Sequence, residues 1–151
     1  MPESWSSRLL RWKFNLIPAY RGTGARVIYI AADFKEVRIR LPLAWRTRNV
    51  VGTIFGGSLY GAVDPVYMIM LINLLGPEYV VWDKTATIRF RRPGRSTLHA
   101  TFLIDDAEVE AIRNATADGH SVDRTYSVDL VDKAEVVHAN VEKVIYVKKK
   151  L

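Results

Sequence analysis

The sequence predicts an α+β domain in which one long central helix is wrapped by an antiparallel sheet, with an extra amphipathic helix at the N-terminus. Three observations carry this reading. Gly56 to Leu75 is one long apolar run at helical spacing, opened by a glycine pair and closed by Gly76-Pro77. Around it lie six stretches of strand character, two before and four after. The chain has 151 residues, 49% of them hydrophobic, enough for one domain with a real core, and it shows no repeat, linker or second domain.

Each element follows from local chemistry. Residues 4–17 place Trp5, Leu9, Trp12 and Leu16 at helical spacing among Arg8, Arg11 and Lys13, behind a Ser4 cap. This segment is too short for a membrane span and lacks the apolar centre of a secretion signal. Two readings stand for it, a helix on a membrane surface and, preferred, a helix packed on the domain or a sister subunit. PAYRGTG (18–24) reads as a connector rich in turn formers. Strands follow at 25–32 and 36–41, where Val37, Ile39 and Leu41 alternate with Glu36, Arg38 and Arg40. A loop over 42–49 carries Arg46 and Arg48, read as solvated. Beyond the long helix come strands at 79–91 and 97–104, a helical turn at 107–114, and a hairpin of 121–131 with 136–147.

Composition narrows the chemistry. Without cysteine there is no disulfide, thiolate metal site or cysteine nucleophile, and no other metal-ligand spacing occurs. A net charge of +6 leaves nucleic acid, anionic membrane and phosphate-bearing small molecules as partners. Nucleic acid is disfavoured because no exposed aromatic and basic strand pattern accompanies the charge.

The chemistry concentrates in NVVGTIFGGSLYGAVD (49–64). Gly56 and Gly57 permit a tight turn and a close approach, and the helix amides after them point outward unpaired, which favours an anion. Asp64 follows among Leu59, Ala62, Val63, Val66 and Met68, where a carboxylate is costly without a task or a partner. A solvated or capping aspartate is the alternative. Pro65 would press on the carbonyl of Gly61, which adds no side chain to the crowding, so one helix over 56–75, kinked near Asp64, is expected in place of two.

Asn49, the Gly56-Gly57 pair and Asp64 on an apolar helix, with IRFRRPG (88–94) further on, resemble the hotdog-fold acyl-CoA thioesterases of the phenylacetate-pathway and human thioesterase-superfamily branch. NLIPAYRGTGARV (15–27), RTRN, GTIFGGSLYGAVDP and VWDK are similar to a narrower bacterial thioesterase-like branch of unassigned function. The resemblance implies a single hotdog domain over 1–151, in the cytoplasm, working as a homodimer or a dimer of dimers on a small-molecule acyl thioester, without a transmembrane segment. It implies no cofactor, coenzyme A entering only as part of the substrate.

The resemblance also implies roles. Asn49 and the Gly56 amide come from one subunit to polarise the thioester carbonyl; Asp64, as general base or nucleophile, and a third-strand Ser or Thr come from the other. A crossing is needed in any case, since about 12 Å of helix separates Gly56 from Asp64 at about 1.5 Å per residue. Asp83 occupies the Ser or Thr position. Two carboxylates in one pocket repel, so that one holds a proton, or Asp83 pairs with Lys84 or an arginine. Phe55 stands where relatives carry a His-Gly-Gly histidine, which counts against dehydratase or hydratase chemistry. His99, His120 and His138 are assigned no catalytic role. Phe55, Gly57, Leu59, Tyr60, Val63 and Tyr67 are candidates to line the acyl slot, core packing being the alternative for each. Arg91, Arg92 and Arg95, with Arg89, are candidates for the coenzyme A phosphates, or a solvated basic turn. A non-catalytic module binding acyl-CoA or a fatty acyl ligand is the second functional reading.

Overall fold

The computed structural model describes residues 1–151. Helix α1 (Trp5–Leu16) begins at a reciprocal cap: the Ser7 amide donates to the Ser4 hydroxyl and the Ser4 amide to the Ser7 hydroxyl. The expected connector after it contains a short helix, α2 (Pro18–Gly22). Proline supplies the first helical φ at no cost in hydrogen bonds, and buried Tyr20 anchors the turn by donating to the Ala62 carbonyl at 2.9 Å. Turn-forming residues are also helix-starting residues, so composition alone misread this segment.

Six strands form one antiparallel sheet in the order β1-β2-β4-β5-β6-β3. They are β1 (Arg26–Ile30), β2 (Glu36–Leu41), β3 (Tyr79–Phe90), β4 (Leu98–Leu103), β5 (Ser121–Val131) and β6 (Val137–Lys149). Edge strand β1 is protected by the N-terminal segment. The Asn15 amide side chain donates to the Val27 carbonyl and accepts the Val27 amide, both at 2.8 Å, and Glu3 accepts the Ile30 amide. Satisfied edge groups cannot template another strand.

The long helix lies against this sheet as α3 (Gly56–Val63) and α4 (Val66–Leu75). Asp64 and Pro65 between them keep right-handed helical angles, so the rod continues through a joint at the proline. Leu59, Val63, Met70 and Leu71 pack with Ile39, Phe102, Leu130, Val141 and Ile145 in one buried core. The stretch 56–75 is long and apolar enough to span a membrane by composition; the core helix of a domain meets the same description, and half of it is buried here.

The short turn expected near 107–114 is a full helix, α5 (Asp106–Ala115). Asp105 caps it by accepting the Glu108 amide, and Glu108 ties it to the sheet through Arg124 and the Tyr126 hydroxyl. The Arg124 hydrogen bond holds the Glu108 carboxyl below its ordinary value, burial opposing it and the Tyr126 bond assisting. At the hairpin turn, the ring nitrogens of His138 meet the Pro93 carbonyl and the Asp132 carboxylate, both at 3.0 Å, so this histidine joins the turn to the loop after β3.

Candidate active site

One half of the site forms where the chain enters α3. The Asn49 side chain accepts the amides of Val51 and Thr53 and donates to the Thr53 hydroxyl at 2.8 Å, which folds the loop back on itself. Phe55 then opens the helix without a side-chain cap, and the Gly56 and Gly57 amides donate to nothing within the chain. A Cβ on Gly56 would sit 3.3 Å from the Phe90 ring, and one on Gly57 would sit 2.4 Å from the Phe55 ring. Neither glycine has a positive φ, and an added Cβ would have to displace the exposed rings of Phe90 and Phe55. A groove of about 300 Å³ opens at this point, bounded by Asn49, Gly56, Leu59, Phe90, Arg91 and Arg92. Arg91 and Arg92 hold their place through backbone amides donated to the His138 carbonyl, leaving both guanidinium groups exposed.

The other half lies at the joint of the long helix. Lys143 of β6 is fully buried and reaches Asp64 Oδ1 at 3.1 Å and Asp83 Oδ2 at 2.9 Å. Its third proton goes to the Asp64 backbone carbonyl, which accepts no helix amide. All three ammonium donors are thus used, as a buried charge requires. The Tyr60 hydroxyl donates to Asp64 Oδ1 at 2.6 Å, one turn before it on the same helix face. Burial first, then this bond and the nearby charges of Asp64 and Asp83, push the Tyr60 hydroxyl well above its ordinary value and keep it a donor.

Two oxygens stay open in this cluster. Asp64 Oδ2 has no donor within the chain, its side chain being 44% exposed, and Asp83 Oδ1 is buried with no donor at all. A bulge at Lys84 shifts the β3 register between Asp83 and Thr85, so that Asp83, opposite Ile145, and Ala86, opposite Lys143, share the sheet face turned to the helix. The expected pairing of Asp83 with Lys84 or an arginine is corrected: Lys84 pairs with Asp123 at 2.7 Å, and Lys143 takes Asp83.

The structure therefore brings Asn49, Gly56, Leu59, Arg91 and Arg92 to one groove, and Tyr60, Asp64 and Asp83 to a separate cluster. Arg95 and Arg89 are exposed outside the groove, and Phe55 and Gly57 are exposed at the helix start. Val63 and Tyr67 are core residues; Tyr67 stacks on Tyr126 at 4.7 Å and donates to the Ser127 carbonyl.

Residues 6–147 match the family described as a domain of unknown function, DUF4442. The chain belongs to the DUF4442 family. No curated protein matches the sequence, but solved structures align over almost its whole length. A Pseudomonas aeruginosa protein of unknown function, described as a probable thioesterase, is 18% identical with a TM-score of 0.86, over 99% of this chain and 98% of that one. A Chlorobaculum tepidum protein of unknown function gives 16% and 0.75 over 97% and 95%. A Haemophilus influenzae thioesterase gives 14% and 0.72 over 99% and 94%. At these identities the likeness establishes the hotdog fold.

In this DUF4442 chain the residue that motif reading passes over is Lys143. A signal for it was present: Ala139, Val141, Ile145 and Val147 are the buried phase of β6, and Lys143 stands in the same phase. A lysine in the apolar phase of an alternating strand needs carboxylate partners from elsewhere in the fold.

Proposed function

We propose that this protein hydrolyses acyl-CoA thioesters in a site shared between two subunits. The observation that carries the proposal is the pair of open carboxylate oxygens, Asp64 Oδ2 and Asp83 Oδ1, beside a carboxylate fixed by Tyr60 and Lys143. Asp64 Oδ2, on a side chain that is 44% exposed, is free to accept a proton from a water. In the reaction, water adds to the thioester carbon while Asp64 takes its proton, and negative charge grows on the carbonyl oxygen. The Gly56 amide of the other subunit is the donor for that oxygen, Asn49 shaping the loop that presents it. The C–S bond then breaks, and the proton held by Asp64 passes to the departing thiolate, leaving free acid and coenzyme A. Arg91 and Arg92 beside the groove suit the phosphates of the nucleotide.

A second reading rests on one specific observation: Asp64 Oδ1 is already committed to Lys143 and Tyr60, leaving only Oδ2 to meet a water. A module that binds acyl-CoA without turnover would tolerate that. The deciding experiment is thiol release from short, long and aromatic acyl-CoAs by wild type and Asp64→Asn. Hydrolysis predicts turnover that drops at least about a hundredfold in the variant. Saturable acyl-CoA binding with no thiol release by wild type would establish the binding module instead.

A further inference from the structure

The outward face of α1 is apolar although the helix is already packed. Leu10 and Phe14 turn inward to the core, whereas Trp5, Leu9, Trp12 and Leu16 are all exposed, Trp5 to 87% and Trp12 to 68%. Beside this stripe runs a groove of about 590 Å³ whose walls include Trp12, Leu16, Arg21, Arg26, Trp45 and Arg46. Trp45 is itself 79% exposed, with the Arg46 guanidinium 5.1 Å from its ring centroid.

The surrounding charge is mostly positive. Glu3 is the only acid in residues 1–32 and is consumed by Arg11, Arg8 and the Ile30 amide; Glu36 pairs with Arg38 and Asp33 with Lys35, and residues 37–63 contain no acid, so Arg21, Arg26, Arg40, Arg46 and Arg48 have no carboxylate partner. Arg26 and Arg40 even stand directly opposite each other across β1 and β2, an unfavourable like-charge pair. A second copy meeting this face about a twofold axis would press cations on cations. An exposed Trp and Leu stripe bordered by unneutralised arginines fits a bilayer carrying negative headgroups.

We propose that α1 and the Trp45–Arg46 loop form a membrane-surface docking face, seating Trp and Leu side chains among the acyl chains of an anionic bilayer while the arginine-walled groove takes lipid phosphates. The face lies at the β1 edge of the sheet, the opposite end from β3 and Asp83, and the inference is independent of the hydrolase reading.

The test is sedimentation of the full-length protein with vesicles of phosphatidylcholine alone or mixed equally with phosphatidylglycerol. Binding is expected to the mixed vesicles only, with a blue shift of tryptophan emission and release as sodium chloride rises. Arg21→Ala and Arg46→Ala should each lower the partition coefficient about fivefold. Leu9→Ser combined with Trp12→Ser should abolish binding while thermal unfolding stays near wild type, both side chains being exposed. Absence of wild-type binding to anionic vesicles, equal binding to neutral ones, or undiminished binding by the double variant would overturn the proposal. A double variant that changes sedimentation mass but not vesicle binding would make this face a contact between copies.

Discussion

At the start of α3 the Gly56 amide and the side chains of Arg91 and Arg92 border a groove without partners in the chain, whereas further along the same rod Asp64 is held by Tyr60 and Lys143, and Lys143 spends every proton it has. The first region keeps its donors unpaired within the chain. The second is complete in its cation and open only at two carboxylate oxygens. In the proposed reaction binding determinants and reacting groups are thus separated on one chain, and they are expected to respond differently to substitution.

The largest effect is expected at Lys143. Lys143→Met removes the cation between two carboxylates, and breaking such a buried pair should cost about 3 kcal/mol, read as a lower urea midpoint at unchanged slope. Adding Asp83→Leu should recover part of that loss, because an orphaned carboxylate leaves with it; no recovery would mean that Lys143 acts by packing alone.

Next comes a test of whether the two regions serve one reaction across subunits. Asp64→Asn and Gly56→Val should each be nearly inactive, the valine being driven against Phe90. Mixed after unfolding and refolding together, they should regain about a quarter of wild-type thiol release, since half the dimers are mixed and one of two equivalent sites in each is intact. Absence of recovery in a proven mixed dimer would mean that the two groups do not serve one thioester across the interface.

A smaller change separates binding from chemistry. Arg91→Ala with Arg92→Ala should raise KM for acyl-CoA about tenfold, the scale of a charged hydrogen bond, while kcat stays near wild type. The same ratio measured with an acyl thioester lacking the nucleotide should not move.

The smallest effect lies outside both regions and serves as their control. Glu108 has its carboxyl lowered from 4.5 by Arg124, burial opposing and Tyr126 assisting. A depressed acid contributes stability that is fully present above the unfolded value and is lost as pH falls through the folded one, so unfolding free energy should decline below about pH 4.5. Glu108→Gln should cost about 1 kcal/mol at neutral pH, allowing for partial exposure of the pair, and should flatten that decline without altering turnover.

Much of the fold was legible because its signals are local. The alternation of Val37, Ile39 and Leu41 defined β2, Ser4 defined the start of α1, and the glycine pair defined the start of the long helix, each from spacings of two to four residues. Where composition is ambiguous the reading failed: PAYRG is helix α2 because Tyr20 finds the Ala62 carbonyl far along the chain, and α5 is a whole helix because Glu108 finds Arg124 and Tyr126. The grouping of Asn49 and Gly56 with Arg91 and Arg92 likewise needed β3 to return beside the helix start.

Local patterning thus suffices for the central helix, the strand periods, and the placing of one aspartate at a proline joint within an apolar run. What that aspartate meets depends on the folded chain. Lys143 lies 79 residues away from Asp64, and its side chain reaches Asp64 and Asp83 because the β3 bulge and the β6 phase turn all three toward one another. Hydrophobic periodicity specifies which face a residue takes, but a buried charge is settled by its partners, and partners are chosen by strand order and register that no local spacing encodes.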